Sequence, residues 1–593
     1  MSVKPWPRGG GKRTPTARSF PGAVAWTRHK AGAVRLHTDA HDTGRDCSPG
    51  PEEDSPTGGL ARTAALLGGF ALASRLLGLA RDMCMAWLLG GGAAADALVA
   101  AMRLPHVLRR LLGEGSLSMT MTACLVRLAR QPQDSAKRDM RALSAALALR
   151  LGALLGALTL LGLLAAPWIT GLLAPGFSGP QREAAVELMR VCLPYVPAAV
   201  MAALGMAFLH SLGIFWLPAF SPVLFNLVLL AFAGVAGLGL LPPAFALAMG
   251  MTCGGVAQWL AQWLAVRRLL PGALKAPGSA ERAGGRSRTA RMAWGCLRRI
   301  PAGLLGASAP QLAMLAAMAL ASGLGQGQVS ALYYAERLLE LPLGLVGVCL
   351  GMASLPTLSR LAARGETARF EEQLAAALRL TLLLILPAAA GLWAVGPRLI
   401  EGLFSHGAFD DRAAYETGMA LWAYLPGLPA FAVNRPLLSA CNALGAARRT
   451  AVSSVGSVAV TLVAGMVLMR SLSGGVGVMA PALAVSLGLW TQTGLLLRIL
   501  GGALRAAGGT GSEERRWLPR PAQVLRQALA ALAACLAAWL LLELLHARGL
   551  WTGLVCAVAS GAAAWCTCLW VLRDGDFLAL VRTVCRLKPG RHA

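Results

Sequence analysis

Ala97-Leu-Val-Ala-Ala-Met-Arg103-Leu104 and Ala331-Leu-Tyr-Tyr-Ala-Glu-Arg337-Leu338 agree at five of eight positions, at an offset of about 234 residues. Two further landmarks keep nearly that offset: Gly171-Leu172 to Gly176 against Gly402-Leu403 to Gly407, and His210-Ser-Leu-Gly213 against Asn442-Ala-Leu-Gly445. Three collinear matches describe an internally duplicated chain. The material around them is apolar: of 593 residues, 56% are hydrophobic and 14% charged, with a mean hydropathy of +0.58. No ordinary soluble fold of this length has that composition. Apolar stretches of roughly 20 residues, enough to cross a hydrocarbon core of about 30 Å, recur from near Leu60 almost to the C-terminus. The pattern predicts an all-α, polytopic membrane protein of about fourteen spans. These begin near residues 62, 94, 142, 185, 216, 242, 301, 328, 374, 416, 449, 475, 522 and 550. Each repeat then holds six spans, an even number, so both halves enter the membrane in the same sense and form two lobes related by a pseudo-twofold axis along its normal. The last two spans lie outside the repeat.

The formal net charge of +27 does not point to nucleic acid, because the basic residues form no single domain and fall in short clusters between apolar segments. With a cytoplasmic N-terminus, the clusters Arg127 to Arg141, Arg267 to Arg291, Arg360 to Arg369, Arg448 to Arg449, Arg505 to Arg520 and Arg573 to Lys588 all fall inside. The turns Gly90 to Ala95, Leu238 to Pro243 and Ser322 to Gln328 fall outside and hold no Lys or Arg. This satisfies the positive-inside rule with both termini cytoplasmic. The resulting organisation is a disordered cytoplasmic tail, or a start placed too early, over 1–60; an N-lobe over 61–270; a basic cytoplasmic linker over 271–300; a C-lobe over 301–500; a second basic linker over 501–521; spans 13 and 14 over 522–573; and a cytoplasmic C-terminal tail over 574–593. The 13 Cys are scattered, mostly inside apolar segments, without a zinc ligand set, so neither a metal nor a cofactor is expected.

Charged residues inside the spans narrow the function. The first two spans contain Ser74, Arg75, Arg81, Asp82, Asp96, Arg103, Arg109, Arg110 and Glu114, and the eighth contains Glu336, Arg337 and Glu340. An Arg at mid-bilayer costs about 2.5–3.5 kcal/mol on insertion scales, so several together cannot face lipid. Arg103 and Arg110, near helix ends, are expected to snorkel to headgroups. Arg75, Arg81, Arg109 and Arg337 are expected to line a central water-filled cavity, with Ser74, Asp82, Asp96 and Glu336 as its polar and acidic support. Gly78 and Pro105 are the places where the first two spans can bend. A surplus of guanidinium over carboxylate suits an anion, a diphosphate above all, since the planar fork matches phosphate oxygens. Gly9-Gly-Gly-Lys12 lacks the spacing of a nucleotide-binding loop, so transport is expected to run on a gradient or passively. An inside-negative potential helps an anion leave by about 2.3 kcal/mol per charge per 100 mV.

Ser74-Arg75-Leu-Leu-Gly78-Leu-Ala-Arg81-Asp82, followed by Ala95-Asp96-Ala97, Arg103-Leu-Pro105, Leu108-Arg109-Arg110 and Glu114-Gly115, closely resembles the lipid II flippase family (MurJ, also called MviN). Ala174-Pro-Gly-Phe177, Pro218-Ala-Phe-Ser-Pro222 with Asn226, Gly254-Gly255-Val256 with Gln258, Tyr333-Tyr-Ala-Glu-Arg337 with Pro342, and Leu355-Pro356-Thr-Leu-Ser359 agree in order. The resemblance covers about residues 60 to 575. It implies a fold of the multidrug/oligosaccharidyl-lipid/polysaccharide exporter superfamily, with the last two spans forming an apolar groove for a polyprenyl tail. It implies alternating-access flipping of undecaprenyl-diphosphate-linked disaccharide-pentapeptide, lipid II, from the cytoplasmic to the periplasmic leaflet of the bacterial inner membrane. The family's critical cavity Arg carry over onto Arg75, Arg81, Arg109 and Arg337, and Asp82 and Asp96 match acidic positions. Membrane lipids and cell-wall synthesis proteins are the partners implied. Cys441 to Gly445 and Arg448 to Thr450 follow the family pattern only loosely. Two alternatives stay open: a flippase for another polyprenyl-diphosphate glycan, such as an O-antigen or capsule unit, and a cation-coupled drug exporter, which would prefer an acidic cavity. An enzyme is not expected, since neither His210 nor His406 has a carboxylate or nucleophile at a telling spacing.

Overall fold

Prolines and the carbonyls they free govern how the helices run. The protein is described from a computed structural model, which covers residues 56–110, 121–122, 125, 133–270, 309–351, 354–472, 476–508, 517–545 and 549–586. Most of the expected N-terminal tail, the linker 271–300 and Glu114 lie outside the described residues. The first half comprises α1 (Pro56–Leu89), α2 (Ala93–Leu108), α3 (Gln133–Leu173), α4 (Gly179–Cys192), α5 (Tyr195–Ser211), α6 (Trp216–Gly237) and α7 (Pro243–Leu269). The second comprises α8 (Ala309–Ala321), α9 (Gln328–Gly351), α10 (Ser354–Arg364), α11 (Thr367–Phe404), α12 (Asp411–Tyr424), α13 (Leu428–Ala443), α14 (Ala447–Ser471) and α15 (Met479–Ala506). After the repeat come α16 (Pro521–Leu544), α17 (Leu550–Val571) and α18 (Gly575–Arg586). Every described element is helical. Nine segments among the described residues, α4 and α5 counting as one, are long and apolar enough to cross a membrane. The charge-bearing α1, α2 and α9 are not among them.

The two halves pack alike. In the first, α2 packs on α4, α5 on α7, and α6 on α7; in the second, α9 packs on α12, α13 on α15, and α14 on α15. The fourth and tenth spans, expected as single helices, are each broken at a matched sequence: Leu193-Pro-Tyr-Val-Pro-Ala198 and Leu425-Pro-Gly-Leu-Pro-Ala430. A helix that stops at such a break leaves its last carbonyls without partners four residues on, in a place without water. Repeat-mate hydroxyls answer this in both halves. Thr252 Oγ1 donates to Val191 O at 2.6 Å, and Ser486 Oγ donates to Ala423 O at 2.9 Å. Gly427 has no Cβ because one would meet Ser486 Oγ at 2.6 Å, so α13 can approach α15 closely. The segments α16 and α17 pack on each other and on α11. The expected C-terminal tail instead folds as α18 over Gly575–Arg586. Asp576 pairs with Arg379 of α11 at 3.2 Å, and Phe577 is buried against Trp565.

One end of the molecule is sealed by reciprocal contacts between the halves. The 174–177 loop reaches the α8–α9 turn, where Gly176 N donates to Ser322 Oγ at 3.0 Å. Its counterpart, the 405–409 loop, reaches the α1–α2 turn, where Ala408 N donates to Trp87 O at 2.9 Å. Between them Asp96, fully buried, accepts the backbone N–H of Gly327 and of Ser330, each at 2.7 Å. A carboxylate of α2 thus caps the N-terminus of α9 in the opposite half, satisfying donors that a helix start leaves open and meeting the positive end of its dipole. Asp96 and Ser330 stand 234 residues apart and are repeat mates, so the pseudo-twofold axis passes between them. This corrects the placement of Asp96 among the cavity residues: it is absent from the cavity lining and belongs to the seal.

Replacing Asp96 by Ala leaves two buried N–H groups without an acceptor, at about 1–3 kcal/mol each. The expected outcome is a lower melting temperature of the purified protein. A cysteine placed at the buried Ala331 should also label faster with a bulky maleimide in the Asp96→Ala background than in the parent. Unchanged labelling and melting would show that the seal does not depend on this cap.

Candidate functional site

Beneath the seal, the same helices enclose a cavity of about 880 Å³. Its wall is contributed mainly by α1, α2, α6, α9 and α13, so both halves share it. Among the described lining residues there are seven guanidiniums, on Arg75, Arg81, Arg103, Arg109, Arg110, Arg337 and Arg435, against three carboxylates, on Asp82, Glu336 and Glu340. Arg75, Arg81, Arg109, Arg337, Ser74, Asp82 and Glu336 all line this cavity, and Asp96 does not.

Local geometry sets each side chain. On α1, Arg81 donates through Nε and Nη2 to Asp82 at 2.9 and 2.8 Å and through Nη1 to Asn226 Oδ1 on α6 at 3.1 Å. Asn226 Nδ2 in turn donates to Ser74 O at 3.0 Å, which fixes α6 against α1 beside Gly78. From the other half, Tyr333 OH donates to Asp82 Oδ1 at 2.9 Å, and the Arg337 guanidinium lies over the Tyr333 ring at 4.6 Å. A cation over an aromatic face gains about 0.5–2 kcal/mol, more as the pair is desolvated. Asn226, Arg81, Asp82, Tyr333 and Arg337 therefore form a continuous bridge from α6 through α1 to α9.

Arg103 and Arg110, expected to snorkel to headgroups, instead make ion pairs across the two halves. Arg103 Nη1 donates to Glu336 at 2.7 Å, and Arg110 Nη2 donates to Glu340 at 2.6 Å. The reason is the helix register: Glu336 and Glu340 lie four apart, one turn, and so face the same α2 stripe as Arg103 and Arg110. Pro105 lies inside α2, and a wide π-type turn follows at residues 109–110. Such irregular turns recur at functional sites because they re-aim side chains. Arg81 and Arg337 also have carboxylate partners, Asp82 and Glu340, each on its own helix. The surplus of positive charge survives all these pairs. Among the described residues neither Arg75 nor Arg435 has a carboxylate partner, and the buried Nε donors of Arg103 and Arg337 have no acceptor.

Several lining residues escaped the sequence reading. Arg435 on α13 stands over the Phe431 ring at 5.6 Å; it lies beside Pro436 in a span otherwise read as ordinary, and nothing in its spacing marks it as cavity-facing. Tyr333, Asn226 and His106, the last with its ring 6.0 Å from Tyr195, were equally silent about their partners. Gly344 is explained only by packing: a Cβ there would collide with the Arg75 guanidinium, so glycine on α9 makes room for an arginine from α1.

A family model described as lipid II flippase MurJ matches residues 85–558. The lipid II flippase MurJ of Burkholderia cenocepacia is 33% identical over 374 residues, 62% of this chain and 70% of that protein. The probable lipid II flippase MurJ of Bdellovibrio bacteriovorus is 32% identical over 420 residues, 69% of this chain and 76% of that protein. Among solved structures, a lipid II flippase MurJ in an inward closed conformation superposes with a TM-score of 0.66 at 19% identity, over 86% of this chain and 99% of that one. An inward-facing multidrug resistance transporter of the MATE family and MOP superfamily superposes with a TM-score of 0.59 at 15% identity, over 76% of this chain and 100% of that one. These two likenesses show the fold alone, that of a polytopic all-helical membrane protein. With residues 85–558, most of the chain, matched by that family model, the chain belongs to the lipid II flippase MurJ family.

Proposed function

We propose that this chain carries lipid II, undecaprenyl-diphosphate-linked disaccharide-pentapeptide, from the cytoplasmic to the periplasmic leaflet of the bacterial inner membrane by alternating access. The observation that carries this reading is the surplus of guanidiniums over carboxylates in a cavity walled by both lobes. A diphosphate supplies the missing negative charge, and each charge-assisted hydrogen bond formed to it is worth roughly 1.5–3 kcal/mol. Arg75, Arg81, Arg109 and Arg337 are its proposed ligands, with Arg435 added from α13. A carrier of cationic drugs would need the opposite sign of charge here.

Orientation follows from charge. The turns around the seal, Gly90 to Ala95 and Ser322 to Gln328, hold no Lys or Arg, which supports a periplasmic seal, cytoplasmic termini and an inward-facing cavity. An inside-negative potential then draws the empty, cationic site inward and drives the loaded anion out. Segments α16 and α17 present exposed Leu525, Leu529, Leu536, Trp539, Trp551 and Trp570, an apolar surface compatible with a polyprenyl chain. Cell-wall synthesis proteins are the partners to which the product would pass.

The test is complementation in bacteria depleted of their own lipid II flippase, at matched membrane abundance. The intact chain should restore growth and precursor export. Arg81→Ala and Arg337→Ala should each lower export about ten-fold or more, the effect of one lost charge-assisted contact. An inserted chain that exports no lipid II but moves another polyprenyl-diphosphate glycan would replace the substrate while keeping the cavity chemistry. Full rescue by both variants would overturn the cavity reading.

Gly344→Ala offers a subtler check. The added methyl displaces the Arg75 guanidinium, so export should fall although a Gly-to-Ala change within a helix favours helix formation by about 1 kcal/mol. Combined with Arg75→Ala, it should cost no further export, since the side chain it displaces is already gone.

A further inference from the structure

Glu340 occupies an unusual position among the acidic residues of the cavity. Its two oxygens are divided between the lobes: Oε1 accepts from Arg110 Nη2, in the turn after α2, at 2.6 Å, and Oε2 accepts from Arg337 Nη1 of its own helix at 2.8 Å. One carboxylate therefore bridges guanidiniums of opposite halves. The other cavity pairs are sunk in the wall, with side chains exposed by only 11% and 3% for Arg81 and Asp82 and by 10% and 9% for Arg103 and Glu336. In contrast, Glu340 is 34% exposed and Arg110 31%, so this bridge faces the cavity. The repeat mate of Glu340, 234 residues earlier, is His106, so the bridging carboxylate exists in one half alone.

A phosphate group offers what Glu340 offers, two anionic oxygens on one centre that a pair of guanidiniums can hold at once. We propose that Glu340 is a resident counter-anion: it holds Arg110 and Arg337 in register while the cavity is empty, gives them up to a phosphate of the incoming diphosphate, and reclaims them as the substrate leaves. This rests on the reading of the cavity as a diphosphate site. No bond is made or broken; one anion exchanges for another on two fixed cations. The exchange keeps Arg110 and Arg337 paired with an anion at every stage, so neither guanidinium is left uncompensated. It also limits affinity, because the substrate must displace an anion already in place, and a limited affinity is what a carrier needs in order to release its load.

The experiment uses the full chain in lipid nanodiscs, with undecaprenyl diphosphate as the binding probe and lipid II export in reconstituted vesicles as the readout of turnover. Glu340→Gln keeps the size of the side chain and removes its charge. The expected result is binding about ten-fold tighter than the parent's, together with slower export. Glu340→Asp keeps the charge but shortens the reach, so that one guanidinium is released; its affinity should fall between the other two, and it carries the test by itself if the Gln variant does not fold. Equal or weaker binding by the variants would overturn the proposal, since a purely structural Glu340 would loosen the site when removed. Arg337→Ala separates the two levels of inference. If it abolishes probe binding while the Glu340 variants bind no tighter than the parent, the diphosphate site stands and only the counter-anion role falls. If it leaves probe binding unchanged, the site assignment falls and the counter-anion role with it.

Discussion

Among the described residues, seven guanidiniums share one cavity wall inside an apolar protein, and the way their charge is met organises the rest of the molecule. Each would cost about 2.5–3.5 kcal/mol against lipid, so the helices that carry them must turn inward, and apolar helices must surround them. That division is visible in the helices themselves. The segments long and apolar enough to face a bilayer are the ones without the cavity charges, whereas α1, α2 and α9 give up apolar character to serve the interior. The carboxylates then decide how the halves are joined. Both Glu336 and Glu340 lie on α9, and their partners Arg103 and Arg110 lie on α2 and in the turn that follows it, so the ion pairs hold one lobe to the other. Breaking the buried Arg103–Glu336 pair is expensive because one charge is left uncompensated. An anionic guest is the one change that could loosen such contacts without that penalty.

The seal and the cavity use opposite chemistry on the same pair of helices. At the seal, Asp96 meets backbone N–H groups at the start of α9, and small residues let the turns interlock: a Cβ at Gly90 or Gly176 would collide with the backbone of the opposite half. Deeper along α2 and α9 the contacts are between long side chains, which can exchange partners. A rigid end and an exchangeable middle are what an alternating-access cycle requires, since one gate must hold while the binding site responds. The broken fourth and tenth spans add a second element that could move, with their freed carbonyls already satisfied by Thr252 and Ser486.

How much was legible beforehand varied with the range of the interaction. The duplicated motif around Arg103 and Arg337 indicated two lobes, and the charges on three spans indicated a cationic interior, because hydrophobic length and helix periodicity are properties of neighbouring residues. Matched Leu-Pro breaks near 193 and 425 were also present in the sequence, although a proline in an apolar run does not by itself distinguish a kink from a break. The partners of the charges were not legible. Arg103 looks like a snorkelling residue near a helix end until Glu336, 233 residues away, is brought to 2.7 Å. Asp96 looks like one more acidic cavity residue until the start of α9 is laid against it.

Amino-acid order alone determined that this chain is an all-helical membrane protein, duplicated, with an interior too rich in arginine to be neutral; each conclusion rests on local composition or on spacing along a single helix. Tertiary structure decided which of the charged residues meet. It moved Asp96 from cavity to seal, joined Arg103 and Arg110 to the opposite lobe, brought in Arg435, and made the glycine at 344 necessary. The physical reason is that the register of α2 against α9 is set by packing between two halves more than two hundred residues apart, and a shift of one helical turn in that register would exchange the ion pairs between the halves while leaving the sequence pattern unchanged.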